Sequence, residues 1–300
     1  MGILVVGSVA LDSLETPFGK RDEVLGGSAT FFSIAASLFN HVDIVAVVGE
    51  DFPKRHLDLF RQRGIGIEGL VVKKGGKTFR WKGRYDYDLN TAHTIYTRLN
   101  VFQDFKPEIP GSLRNPEFLF LANIDPDLQF SVLKQVKRPR LVACDSMNYW
   151  IGNKKKSLMR LLDRIDILLL NDGEARQFTG ESNLMKAAQA IVSRGVKALV
   201  IKKGEHGVIY FSKKNHFIAP AYLLETIYDP TGAGDTFAGG LMGFLSKANK
   251  LDEANIRKGI IYGSILASFA VEDFGINRLL TISMADIKSR YSHFEKITRF

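Results

Sequence analysis

Six short apolar runs recur along the chain: Ile3–Gly7, Val42–Gly49, Glu117–Asn123, Leu141–Asp145, Ile167–Asn171 and Ala198–Lys202. Each is too continuous for a half-exposed strand and too short for a helix. Strands of a mostly parallel sheet covered on both faces read this way. Between them lie stretches with helical spacing, including Ser28–Phe39, Pro53–Arg63, Pro126–Val136, Ser157–Ile165, Leu184–Arg194 and Asp252–Val271. Strands alternating with helices imply βαβ units, so the fold class is α/β. With 300 residues, and with neither a repeat nor a flexible linker, residues 1–300 read as one large unit with a core that needs no staples.

A single cysteine, Cys144, excludes a disulfide scaffold and a four-thiolate zinc site; a small core residue is the reading for it. The charge balance of 41 − 32 = +9 suits nucleic acid or a phosphate-rich small molecule. The basic residues are dispersed, and the one run, Lys154–Lys156, reads as a solvated helix start. No nucleic-acid partner is therefore expected. No apolar stretch approaches the ~18 residues of a membrane span, and Met1–Gly7 lacks the basic flank of a signal peptide. A cytoplasmic protein is expected.

One region breaks the rhythm. From Thr78 to Asn90, Phe79, Trp81, Tyr85, Tyr87 and Leu89 alternate with Arg80, Lys82, Arg84, Asp86 and Asp88. Period-2 alternation predicts a half-exposed strand. After a turn near Asn90–Ala92 it resumes with Ile95, Leu99 and Val101 on one face. The spacing predicts a β-hairpin outside the main sheet. Residues 11–25 add strands beside it, so a small lid is built from about 11–25 and 78–102. Such a lid would cover a pocket, form a homodimer contact, or both.

Some strings mislead. Gly64–Gly69 matches G-x-G-x-x-G, but a helical pattern precedes it and a strand-like run follows, the reverse of the dinucleotide fingerprint. Gly234 and Gly239 have P-loop spacing, but Gly240 stands where the lysine belongs. The histidines show no metal-ligand spacing.

Asp229-Pro230-Thr231-Gly232-Ala233-Gly234-Asp235 is the most informative stretch, with a helical pattern after it. Small residues let backbone N–H groups converge, and a helix start adds the positive end of its dipole. Asp235 sits in the first turn beside that anion hole, placed to accept a proton from an attacking hydroxyl. A plain glycine-rich helix start with Asp235 as a capping charge is the alternative.

This stretch resembles the C-terminal D-T-x-G-A-G-D signature of the ribokinase, or PfkB, family of carbohydrate kinases, differing mainly at Pro230. Other family features follow in order: Gly7, Ser8 and Asp12 after the first strand, the diglycine Gly26–Gly27, Asp145, Asn148 and Trp150, the N-x-x-E of Asn171–Glu174, and the loop Lys203–Gly207. The resemblance covers essentially the whole chain. It implies a ribokinase-like three-layer sandwich with a projecting β-lid, and an ATP-dependent, magnesium-requiring phosphotransferase acting on a hydroxyl of a sugar or cyclitol. A nucleoside kinase, or a catalytically silent sensor on the same fold, is the alternative.

Residue by residue, the resemblance implies Asp235 as base, with the Gly232, Ala233 and Gly234 amides stabilising the transferring phosphoryl group. Asp12, Gly26, Gly27 and Asp235 would contact the acceptor. Asn171, Glu174, Lys202, Gly204, Gly207, Gly232, Gly234, Gly263 and Ala267 would face the nucleotide, with Glu174 holding magnesium through water. Asp229 stands where family members place a monovalent-cation ligand, which extends the resemblance to potassium. Two departures bear on the acceptor. Ala10 and Phe31 replace asparagines that hold a furanose in ribokinases, so ribose is expected to be a poor substrate.

Overall fold

A computed structural model describes residues 2–299; Met1 and Phe300, which end the expected 1–300 unit, lie outside the described residues. The strands are β1 (Ile3–Val6), β2 (Ala10–Thr16), β3 (Gly19–Gly26), β4 (Val42–Gly49), β5 (Ile65–Lys73), β6 (Phe79–Tyr85), β7 (Ala92–Arg98), β8 (Phe118–Leu121), β9 (Leu141–Asp145), β10 (Ile167–Asn171), β11 (Ala198–Lys202), β12 (Val208–Ser212) and β13 (His216–Ala219). Nine form one sheet in the order β13-β12-β11-β10-β9-β8-β1-β4-β5. It is parallel from β5 to β11, and β12 and β13 add an antiparallel edge.

Every apolar run feeds both faces of this sheet, because successive side chains of a strand point to opposite sides. Ile3, Val5, Phe118, Phe120, Ile167 and Leu169 pack with the helices Ser28–Ala36, Ala233–Lys247 and Glu253–Ala270. Leu4, Val6, Leu119, Leu121, Leu168 and Leu170 pack with Pro126–Leu133, Lys155–Leu161 and Leu184–Val192. The result is the three-layer, ribokinase-like α/β sandwich that the runs call for. Cys144 is buried in the second of these cores. Among the described residues, no helix is long and apolar enough to cross a membrane.

The other four strands form a separate sheet, β3-β2-β6-β7. Strand β2 pairs parallel with β6, and the outer pairs are antiparallel. At its root Phe79 stacks on Phe102 at 5.3 Å, and Phe102 on Phe105 at 5.4 Å. Arg80 bridges Glu23 at 2.5 Å and Asp51 at 2.8 Å, and the Asp51 carboxylate also takes the Thr78 amide and hydroxyl at 2.7 Å.

Two details of the hairpin differ from expectation. The strand ends at Tyr85, so Tyr87 and Leu89 lie in the turn, Tyr87 85% exposed and Leu89 with φ +57°. The turn closes early because the Asp86 carbonyl accepts the Leu89 amide at 3.0 Å and the Asp86 carboxylate meets His93 at 2.6 Å. Ile95, on the edge strand β7, and Leu99, just past its end, are both exposed. Val101 is buried, but in a short 3₁₀ turn back at the body.

Candidate active site

The sheet reverses its build order at β1: the chain adds β4 and β5 on one side and β8 to β11 on the other. Ligand crevices in open α/β sheets form at the carboxyl ends of strands beside such a switch point. That edge carries Ser8, Asn123, Asp145, Asn171 and Lys202, each at or just after a strand end.

Asp12 enters from the lid sheet and is 5% exposed. Burial, then the nearby charges of Asp229 and Asp235, push its carboxyl up to about 7, against a hydrogen bond from the Gly27 amide. The diglycine exists to make room for it. A Cβ on Gly26 would lie 1.9 Å from the Asp12 Oδ2, and Gly27 has φ +94° with its missing Cβ 2.5 Å from the Ser8 carbonyl oxygen. Ser8 and Ser28 lock this corner, each amide donating to the other's hydroxyl at 3.2 and 3.0 Å.

Gly232 caps the Ala233–Lys247 helix in the left-handed region at φ +73°. Its missing Cβ would sit 2.3 Å from the ring of Phe31. Phe31 is thus a floor beneath the anion loop, 2% exposed. The Ala233 amide donates to the Pro230 carbonyl at 3.2 Å, because the loop closes a tight turn there. The three-amide hole expected from the sequence therefore narrows to Gly232 and Gly234, whose amides have no protein acceptor among the described residues. Asp235 stands in the first helical turn. Burial raises its carboxyl to about 7, aided by the charge of Asp145 and opposed by Lys202.

Lys202 ends β11 and Asp145 ends β9; their side chains pair at 2.7 Å and are 17% and 5% exposed. Burial works against the Lys202 ammonium, but Asp145, Glu174 and Asp235 together hold its pKa above the ordinary lysine value. A Cβ on Gly234 would lie 2.9 Å from the Lys202 Nζ, so the ammonium lies against the anion loop. Asn171 and Glu174 form a reciprocal capping box at 2.7 Å in both directions. Glu174 is nonetheless buried, and burial raises its carboxyl to about 7 despite Lys202. Asp145 and Asn123 do double duty as strand ends and site walls; a polar residue closing a buried apolar run is the sequence signal for both. Asn123 Oδ1 is buried without a hydrogen-bond partner.

Gly204 and Gly207 form a tight turn after β11, at φ +54° and +84°, and a Cβ on Gly207 would lie 2.1 Å from the Ala219 carbonyl oxygen. Gly263 sits at a helix crossing, where a Cβ would lie 2.7 Å from the Phe237 carbonyl oxygen. Ala267, one turn on, is half-buried against the same core. Asp229 accepts the amides of Thr231 and Gly275, both at 2.9 Å, and so clamps two loops together. Among the described residues, no group of three or more His, Cys, Asp or Glu side chains could hold a metal ion. A magnesium ion here would rely on phosphate oxygens and water for most of its shell, in keeping with its hydration chemistry.

Comparison with known proteins places the chain in a family. Residues 19–281 match the pfkB family of carbohydrate kinases. A cytidine kinase of Thermococcus kodakarensis is 30% identical over 267 residues, 87% of this chain and 94% of that protein. A nucleoside kinase of Methanocaldococcus jannaschii is 28% identical over 288 residues, 91% of each. The crystal structure of a ribokinase II from E. coli with ATP and magnesium shares the fold, with a TM-score of 0.79 at 17% identity over 97% of this chain and 99% of that one. By that match and those relatives, the chain belongs to the PfkB family of carbohydrate kinases.

Proposed function

We propose that this chain transfers the γ-phosphoryl group of ATP to a hydroxyl of a nucleoside. The acceptor lies between Asp12 on the lid sheet and Asp235 on the body. Its hydroxyl oxygen attacks the γ-phosphorus while Asp235 takes the proton, and the bond to the β–γ bridging oxygen breaks to release ADP. A carboxyl near 7 suits a base working at neutral pH. The Gly232 and Gly234 amides and the Lys202 ammonium face the charge that develops on the phosphoryl oxygens. Glu174 would anchor magnesium through water, using the oxygen that does not cap Asn171; the ion would neutralise charge on the β- and γ-phosphates. The turn at Gly204–Gly207 and Ala267 would border the nucleotide. Asp229 is the ligand proposed for potassium, which would share it with two amides. The open edge of β7 is where a second copy of the chain would pair with the lid.

The observation that carries the nucleoside reading is Trp81. It stands directly opposite Asp12 in the β2–β6 register, on the same lid face. Its indole lies across Gly83, where a Cβ would be 2.1 Å from the ring, and its Nε1–H donates to the Thr94 hydroxyl at 3.1 Å. A half-exposed aromatic plane beside a hydroxyl-binding carboxylate suits a base attached to a sugar. The cytidine and nucleoside kinase relatives support the same reading. Sugars and cyclitols are the second reading, supported by the family description. A coupled ADP-release assay over cytidine, uridine, adenosine, inosine, ribose, fructose and myo-inositol decides between them. A nucleoside is expected to be the best acceptor and ribose a poor one; a free sugar or cyclitol as best acceptor overturns the reading.

A further inference from the structure

We propose that Tyr85 is a positioning residue that ties closure of the lid to the shape of the anion loop. Tyr85 is the last residue of β6, at the far end of the lid strand from its anchored root. The Thr231 hydroxyl donates to the Tyr85 phenol oxygen at 3.1 Å, a contact across 146 residues of chain. Thr231 immediately precedes Gly232, whose left-handed conformation opens the anion loop.

Thr231 is thereby held from two sides. Its amide donates to Asp229, which belongs to the body, and its hydroxyl donates to Tyr85, which belongs to the lid. Below it, Phe31 fills the space that any side chain on Gly232 would need. Lifting the lid removes one of these three restraints and leaves the other two. The phenol is half-buried, and that burial together with the charges of Asp229 and Asp12 holds it protonated. It therefore stays a neutral hydrogen-bonding group at working pH.

The same hairpin touches the nucleotide side as well. Asn90, in the turn after Tyr85, donates to the Glu205 carboxylate at 3.3 Å, within the Gly204–Gly207 turn. Asp12 lies on β2, the strand paired with β6. An acceptor that binds Asp12 and draws the lid down would thus complete the anion loop at the moment the acceptor is in place. Without an acceptor the Tyr85–Thr231 contact would be made only part of the time, so the loop would be looser and transfer to water slower. Closure that completes a reaction centre is a general route to suppressing hydrolysis.

The test uses Tyr85→Phe, Thr231→Val and the double variant, with cytidine and magnesium-ATP as probes. Loss of one buried hydrogen bond is expected to lower kcat by about 3- to 10-fold, with acceptor KM changing less than about twofold and more ADP released per acceptor phosphorylated. The double variant is expected to be no worse than either single one, because both remove the same bond. Hydrogen exchange on the acceptor-free protein gives a second readout. Tyr85→Phe should speed exchange in residues 231–235 as well as in the lid, whereas a tyrosine that only packs the lid would speed exchange in the lid alone. Additive losses in the double variant, or unchanged exchange at 231–235, overturn the proposal. The proposal rests on kinase chemistry and on no particular acceptor. If cytidine and the other nucleosides are not phosphorylated, the nucleoside reading fails while the exchange measurement still decides the role of Tyr85.

Discussion

Asp12→Asn should make the ligand-free protein more stable at pH 8 while impairing phosphoryl transfer. The folded Asp12 carboxyl stands at about 7 against an ordinary 3.8, and about three units correspond to about 4 kcal/mol. The folded state binds this proton more tightly than the unfolded chain does. The penalty for ionisation is therefore absent below 3.8, grows through the window from 3.8 to 7, and is complete above 7. Asparagine removes the charge, keeps the volume and keeps an acceptor for the Gly27 amide. Its amide NH₂ needs a partner, and an unmet one costs about 1–3 kcal/mol. The net gain at pH 8 is then about 1–3 kcal/mol. For 300 residues, with about 2.1 cal/mol/K of unfolding entropy per residue, that is a rise in Tm of roughly 2–5 °C. At pH 5 more than half of the penalty has already gone, so the variant should match or fall below the parent. Urea titrations at both pH values without nucleotide measure the difference. Equal or lower stability of the variant at pH 8 would refute the claim that Asp12 is an electrostatic cost kept for binding an acceptor.

The same site gives three further expectations. Asp235→Asn should lower turnover by roughly 10²–10⁴-fold with ATP binding kept, and the parent's kcat/KM should fall as pH drops below about 7, where Asp235 gains its proton; turnover within about tenfold of the parent, alongside an unchanged acid limb, would remove the base assignment. Glu174→Gln should raise the magnesium concentration needed for half-maximal rate more than it raises acceptor KM; an unchanged magnesium requirement reduces Glu174 to its capping role. Gly232→Ala combines a φ of +73° with a Cβ 2.3 Å from the Phe31 ring, so a loss of roughly 2–4 kcal/mol of stability is expected, and Phe31→Ala in the same chain should restore part of it; no rescue would mean that the backbone, and not the ring, sets the cost.

The sheet was legible because burial on both faces leaves a local trace. The runs Val42–Gly49, Leu141–Asp145, Ile167–Asn171 and Ala198–Lys202 coincide with strands end to end. Strands β12 and β13 were not anticipated, since an antiparallel edge needs no long apolar run and exposes residues such as Ile218, 65% accessible. The Met284–Thr298 helix was missed for a related reason: it buries few residues, Ile287 and Phe294 among them, so its apolar stripe is thin. Within the site, residues carried by a motif were legible, and residues placed by tertiary contact were not. Nothing in Thr78–Asn90 distinguishes Trp81 and Tyr85, which face the site, from Tyr87, which faces water. Nor does Phe31 announce that it underlies Gly232, two hundred residues away.

Lys202 shows why the carboxylates of this site sit where they do. Asp12, Glu174 and Asp235 all rise to about 7, each chiefly through burial. Three carboxyls raised by burial, with the Lys202 ammonium beside two of them, make a site that is costly while empty. Lys202 offsets part of that cost for Glu174 and Asp235, and its pairing with Asp145 fixes it against the anion loop. Such an arrangement suits chemistry that moves both a proton and a phosphoryl group. The carboxyls stand near neutral pH, and the ammonium lies against the loop where the proposed transfer would place the phosphates. Replacing buried ion pairs by apolar groups of similar volume is often neutral or stabilising, so folding alone does not call for this set. On the proposed function, this set, beside a loop of small residues and a lid strand that reaches Thr231, would carry the chemistry at the carboxyl ends of β9 to β11.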